Sequence, residues 1–205
     1  MAIRLENKAQ AQLISVVILT SITISLVAIT YFWGMPIMEK EKSSVRLSSA
    51  EKFMKELNRK LEDVIKNGGT QVLEANVPGT LTMVDNGVDD KLELNFSIKG
   101  CDIALQKDIF LIGDEKPEAV LGEEPSVLKV YAQGSKEFCT VTMTLYYRNV
   151  TSSKNIYVVD LVGLGSKSIT GKNHKILISM GESRGVVGER NGRDVYETKV
   201  NIRLE

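Results

Sequence analysis

Residues 7–38 read NKAQAQLISVVILTSITISLVAITYFWGMPIM. No Asp, Glu, Lys, Arg or His occurs between Lys8 and Glu39, whereas the rest of the chain mixes charges of both signs. That contrast divides the sequence into a membrane-compatible N-terminus and a water-soluble body. Leu13 to Trp33 is 21 residues; as an α-helix at about 1.5 Å per residue it rises roughly 31 Å, matching the hydrocarbon core of a bilayer. A secretory h-region is only about 7–15 residues long, and no small-x-small cleavage site follows this stretch. Tyr31, Phe32 and Trp33 cluster at its C-terminal edge, where amphipathic rings favour the membrane interface. Gly34 and Pro36 predict a break or kink just beyond it. The stretch reads as a transmembrane span.

The orientation follows from features elsewhere in the chain. Arg4 and Lys8 on one side of the span nearly balance Lys40 and Lys42 on the other, so the positive-inside signal alone does not set it. Asn95-Phe96-Ser97 and Asn149-Val150-Thr151 both fit the N-glycosylation sequon, a modification of extracellular chains; the competing reading is chance occurrence. Cys101 and Cys139 lie in the body and are candidates for one disulfide, which for a loop of that length would contribute roughly 3–4 kcal/mol. Two buried free thiols are the alternative. Together these features favour an N-in, C-out arrangement. Lysine plus arginine equal aspartate plus glutamate at 26 each, so there is no basic footprint and no nucleic-acid partner is expected.

Beyond the span, residues 39–69 carry Phe53, Met54, Leu57, Leu61, Val64 and Ile65 at three- and four-residue steps, which predicts an amphipathic helix. Ser48 or Ser49 is a candidate N-cap, and Gly68-Gly69 a stop. The helix is either separate from the membrane helix or its extension, and its stripe packs on the following domain or against another subunit. From Thr70 the period becomes two. KLELNFSI places Leu92, Leu94, Phe96 and Ile98 on one face, and FCTVTMTLYY places Cys139, Val141, Met143, Leu145 and Tyr147 inward. VYETKVNIRLE repeats the alternation, and turn-rich breaks such as VDNGVDD, GDEKPEA and GERNGRD separate the apolar runs. About 135 residues of short strands can bury a normal core, and the expected class is α+β: a long N-terminal helix followed by an antiparallel β-sandwich over residues 70–205.

Candidate chemistry in the body is sparse. His174 is the only histidine and falls in the strand-like run HKILISM, where a surface strand histidine is the simpler reading than a catalytic one. VVDLVGLGSKSITGKN lacks the G-x-x-x-x-G-K-[ST] spacing of a phosphate loop, because Asn173 follows Gly171-Lys172. Asp85, Asp89 and Asp90 offer hard oxygens suited to calcium, but Asn86-Gly87 between two strand patterns is the strongest short hairpin signal. No cofactor is expected, no nucleophile–base pair can be read from spacing, and the chain is not read as an enzyme.

The opening segment carries the functional reading. Lys8-Ala9, then Gln10-Ala11-Gln12 and a long apolar helix, resembles the class III signal of archaeal type IV pilins. The resemblance implies cleavage of a leader, residues 1–9, between Ala9 and Gln10. It also implies a mature assembly helix, residues 10–38, that anchors the subunit and then packs in a filament core, with a β-sandwich on the outside. Two positions depart from the wider pattern: Ile14 stands where many bacterial-type pilins have glutamate, and the leader contains Glu6. The partners implied are further copies of the chain, the membrane, a prepilin peptidase, pilus assembly machinery and the cell envelope. Ser15, Thr20, Ser21, Thr23, Ser25 and Thr30 lie within the span, and small polar residues of this kind let apolar helices approach closely. They also bond their own backbone in ordinary spans. The expected location is a membrane-anchored precursor with an extracellular C-terminal domain, and a cell-surface filament once assembled. The rival reading is an anchored accessory protein that presents its β-domain to the envelope or to a secretion or motility machine.

Overall fold

The computed structural model describes residues 3–87, 90–99, 106–135 and 137–205, with side chains from residue 14 onward except those of Ser183 and Arg184. The first element, α1 (Ile3–Asn67), is one helix of 65 residues with Pro36 inside it. The break expected at Gly34 and Pro36 and the cap expected at Ser48 or Ser49 are therefore both replaced by continuous helix. Residues 10–38 and 39–69 belong largely to one element rather than to two. Proline removes a single N–H and crowds a single carbonyl. The helix-forming residues on either side, from Met35 through the Glu39–Lys42 run to Leu47, offset that local loss.

The chain divides into two compact units, Met1–Lys42 and Ser43–Glu205. In the second, the stripe read from the sequence is buried: Ala50, Met54, Leu57, Leu61 and Val64 have no exposed surface, and Phe53 and Ile65 pack at the margin of the same cluster. A fully buried side chain of this size contributes about 1.5–3 kcal/mol relative to an exposed one, so the stripe serves the core of its own domain. The helix ends where the glycines predict. Gly68 and Gly69 adopt φ of 73° and 84°, conformations that cost other residues more, and Gly68 N–H donates to Val64 O at 2.8 Å.

Among the described residues, twelve strands form two six-stranded sheets. Along the chain they are β1 (Thr70–Ala75), β2 (Thr80–Val84), β3 (Lys91–Lys99), β4 (Ile109–Ile112), β5 (Glu118–Val120) and β6 (Ser126–Gly134), then β7 (Phe138–Tyr147), β8 (Asn149–Thr151), β9 (Asn155–Gly165), β10 (Ser168–Thr170), β11 (His174–Arg190) and β12 (Arg193–Leu204). One sheet has the order β1-β11-β12-β9-β8-β5 and the other β10-β2-β3-β7-β6-β4. Inward residues of both sheets, including Leu94, Phe96, Val141 and Met143 from one and Ile176, Ile178, Val200 and Ile202 from the other, join the helical stripe in one hydrophobic cluster. The period-two readings of β3 and β7 hold closely, with Leu92, Leu94, Phe96, Ile98, Cys139, Val141, Met143 and Leu145 buried and Tyr147 at the margin.

Pairing is mostly antiparallel, with two exceptions that correct the all-antiparallel expectation. β9 and β12 pair in parallel along their length, from Asn155↔Asp194 to Gly165↔Leu204, and β5 pairs in parallel with β8. The reason for the first is topological. After β9 the chain crosses to the other sheet as β10, returns as β11, and turns back as β12 between β11 and β9. The β11–β12 turn is the tight hairpin that GERNGRD suggested: Arg190 pairs with Arg193 across Asn191 and Gly192, whose φ values are 57° and 74°, as a type I′ turn needs. β11 is longer than HKILISM alone predicts. It continues to Arg190 through three register shifts, which the Gly181, Gly185 and Gly188 backbone accommodates as bulges.

A buried polar network fixes the helix on β6 and β7. Asn58 donates to Glu62 Oε1 at 2.7 Å and to Ser126 Oγ at 3.1 Å, and accepts from Tyr147 Oη at 2.9 Å. Burial, together with the nearby carboxylates Glu62 and Glu124, holds the Tyr147 phenol well above its usual range. Arg148, also buried, pairs with Asp114 and donates to Glu124 O at 2.7 Å. An unpaired buried donor or acceptor costs about 1–3 kcal/mol, and among the described residues Arg148 Nε is the buried side-chain atom that lacks a partner.

Candidate functional site

Two features of the molecule stand out as sites of action: the apolar part of α1 and a polar cleft in the β-rich unit. In the first, every residue from Ile14 to Met38 is exposed except Gly34, which is intermediate. Phe32 is 80% exposed and Trp33 74%. The helix is long and apolar enough to cross a membrane, with a mean hydropathy of 2.2 in its most apolar window and none of that window buried. An exposed apolar surface of this extent marks a contact with lipid or with another protein.

The small polar residues singled out in the span have a definite arrangement. Thr20 donates to Val16 O at 2.9 Å, Ser21 to Val17 O at 2.8 Å, Thr23 to Leu19 O at 2.8 Å, Ser25 to Ser21 O at 2.8 Å and Thr30 to Leu26 O at 2.8 Å. Each hydroxyl is satisfied within its own helix, so these residues can face lipid or a neighbouring helix without an unpaired donor. Ser15 is exposed on the same helix. Ala9 and Gln10 lie on the α1 backbone, and their side chains fall outside the described residues.

The cleft, about 810 Å³, is lined by outward-facing residues of β3, β6 and β7, by the β2–β3 loop, and by β9 and β12. Strand register explains its floor. On the face opposite the core, Lys129, Thr144 and Glu93 stand in one cross-strand row, and Tyr131, Thr142 and Asn95 in the next. The hydroxyl of Thr142 donates to Asn95 Oδ1 at 2.6 Å. Lysines and carboxylates pair along the walls: Lys91 with Glu93 at 2.9 Å, Lys129 with Asp108 at 2.9 Å and Lys199 with Asp160 at 3.1 Å.

Asp90 has two roles here. Its Oδ1 accepts from Asn86 N–H and Gly87 N–H, both at 2.9 Å, which closes the β2–β3 hairpin that Asn86-Gly87 predicted. Desolvation, and then a hydrogen bond shared with Asp160, raise its carboxyl above the usual range. A carboxyl whose folded pKa is raised contributes stability that is complete below its unfolded pKa, about 3.9, and lost as pH rises through the folded value. Asp90→Asn, permanently neutral and able to keep these bonds, is therefore expected to gain in Tm on the native chain as pH rises above about 4. Thermal melts of both proteins across that range would test it, and parallel Tm–pH curves would eliminate the shared proton.

The remaining residues singled out from sequence are dispersed. Asp85 accepts from Gly163 N–H at 3.1 Å, while Asp89 lies outside the described residues. Among the described residues no group of three or more His, Cys, Asp or Glu is placed to hold a metal ion. His174 pairs with Ala75 in the sheet, and its ring nitrogens lie 3.1 Å from Glu205 O and 3.0 Å from Thr170 O, which ties down the C-terminus. Asn95 is half-buried on β3, and Asn149 opens β8. Cys139 is fully buried on β7, and no free cysteine is present among the described residues; Cys101 falls outside them. The cleft itself was not legible in the sequence. Its only local signals are the polar alternates of the strands, Lys91 and Glu93, Lys129 and Tyr131, Thr142 and Thr144, which read there as an ordinary solvent face.

Comparison with protein-family models, with curated proteins and with solved structures gives no match for this chain.

Proposed function

We propose that the chain is the structural subunit of an extracellular, type IV pilus-like filament. The observation that carries this reading is the exposed apolar stretch of α1 from Ile14 to Met38, joined in sequence to a unit that completes its own hydrophobic core without it. A core that needs nothing from residues 14–38 leaves that surface for lipid before assembly and for the helices of other copies afterwards. The β-rich unit, read as a pilin-like sandwich, then forms the outside of the polymer. In that setting Cys139 pairs with Cys101, the only other cysteine, and Asn95 and Asn149 are candidate glycan acceptors. Cleavage between Ala9 and Gln10 removes the charged leader, so that the apolar helix opens the mature protein.

Mass spectrometry of the N-terminal peptide, on protein sheared from the cell surface, tests the proposal. A peptide beginning at Gln10 in the sheared fraction is the expected result. A chain that begins near Met1 and stays with the membrane after shearing would overturn it in favour of an anchored accessory protein. A chain beginning beyond residue 38 would identify the apolar stretch as a removed secretory signal.

A further inference from the structure

We propose that the cleft over the outer face of β3, β7 and β6 binds a neutral oligosaccharide. Its residues all belong to the unit Ser43–Glu205, so the inference stands independently of the filament reading.

Size and polarity narrow the ligand first. At about 810 Å³ the cleft falls within the roughly 300–1,000 Å³ of small-molecule sites, yet charged and hydrogen-bonding groups dominate its lining. An acyl chain or an aromatic drug-like molecule would strand those groups without partners, at about 1–3 kcal/mol for each buried one. A ligand covered in hydroxyls would not, because every hydroxyl can both donate and accept.

Charge narrows it further. The lysines Lys91, Lys129 and Lys199 are each ion-paired with a carboxylate of the same cleft. A phosphate or sulfate would have to break those pairs to find a cation. A polyamine would have to break them to find an anion, since Glu93, Asp108, Asp160 and Glu197 each face one of these lysines and Asp90 Oδ1 is taken by two backbone N–H groups. A neutral ligand leaves all three pairs in place and hydrogen-bonds to their outer atoms.

The floor supplies the rest. The row Lys129–Thr144–Glu93 presents a donor, a hydroxyl and an acceptor in sequence across three strands. Tyr131 and Tyr146 add ring surface on the same face. Tyr131 stands opposite Thr142, four residues along β7 from Tyr146, so the two positions are separated by about 13 Å at the rise of a strand. That interval exceeds one pyranose ring and suits a chain of several sugars, whose C–H faces pack on aromatic rings while their hydroxyls reach the polar rows. Asp90 Oδ1 accepts from two backbone N–H groups and Asp160 pairs with Lys199, so both carboxyls serve to shape the cleft and bind.

The test uses the full chain in nanodiscs prepared without glycoside detergents. Saturation-transfer NMR followed by titration would probe maltotriose, cellotriose, mannotriose and triacetylchitotriose, with inorganic phosphate and spermidine as competing chemistries. At least one trisaccharide is expected to bind, with affinity reduced at least tenfold in Tyr131→Ala. Gln133→Ala, an exposed position on the cleft rim, leaves folding intact and is expected to weaken binding at least threefold. Binding of none of the four sugars overturns the proposal. So does binding unchanged in both variants, or binding of phosphate or spermidine in place of the sugars.

Discussion

Ser21→Leu combined with Ser25→Leu is expected to leave the protein in the membrane and to remove it from the sheared filament fraction. The two residues are one turn apart on a single face of α1 and exposed, and each hydroxyl is bonded to a carbonyl of its own helix. Leucine there removes no interhelical hydrogen bond seen in the chain, and it makes the span more apolar, so insertion is retained or improved. What changes is width. Small side chains let helix backbones approach closely in an apolar medium, and two leucines on one face hold a packed neighbour away. Alkaline extraction reads membrane retention and electron microscopy of sheared material reads assembly. Filaments of normal abundance would refute packing through this face. Ile24→Asp is the complementary case: a carboxylate at the middle of the span costs about 2.5–3.5 kcal/mol on insertion scales, and it should reduce membrane retention and filaments together.

Leu61→Ala is expected to cost about 2–5 kcal/mol, lowering Tm by roughly 4–20 °C in a chain of this size. Leu61 has no exposed surface and belongs to the cluster that both sheets share with the helix. Its removal leaves a cavity on a helical face whose position is also held by the Asn58–Ser126–Tyr147 hydrogen bonds, so the walls cannot easily collapse inward. Lys52→Ala, on the exposed face of the same helix, should change stability by no more than about 0.5 kcal/mol. Urea unfolding of the full chain in detergent micelles, followed by near-ultraviolet circular dichroism, would compare them. Equal midpoints for Leu61→Ala and the native chain would show that the stripe does not hold the β-rich unit together. Truncating Asn58 as well should lose less than the sum of the single changes, because residues in one network couple.

Much of the architecture was present in local patterns of the sequence. The uncharged run from Ala9 to Met38 determined an apolar helix, because hydropathy and helical rise are properties of the segment alone. The spacing of Met54, Leu57, Leu61 and Val64 determined which helical face is buried, and the alternation in KLELNFSI and FCTVTMTLYY determined which strand faces are. Asn191-Gly192 determined a tight hairpin, since both residues take the positive φ its turn needs, and Asn86-Gly87 marked the longer connection of β2 to β3, where Gly87 takes φ of 69°. Only the tertiary structure decided the rest. Helix continues through Pro36 because its neighbours outweigh one local defect. β12 runs parallel to β9 because the chain visits the other sheet between them, an event that no window of residues records. The cleft exists because Lys91, Glu93, Lys129, Tyr131 and Thr142, aligned on one sheet by pairing register, stand beside Asp160 and Lys199, paired on the other. Periodicity states which side of a strand is polar; it carries no information on which other polar side will stand across from it.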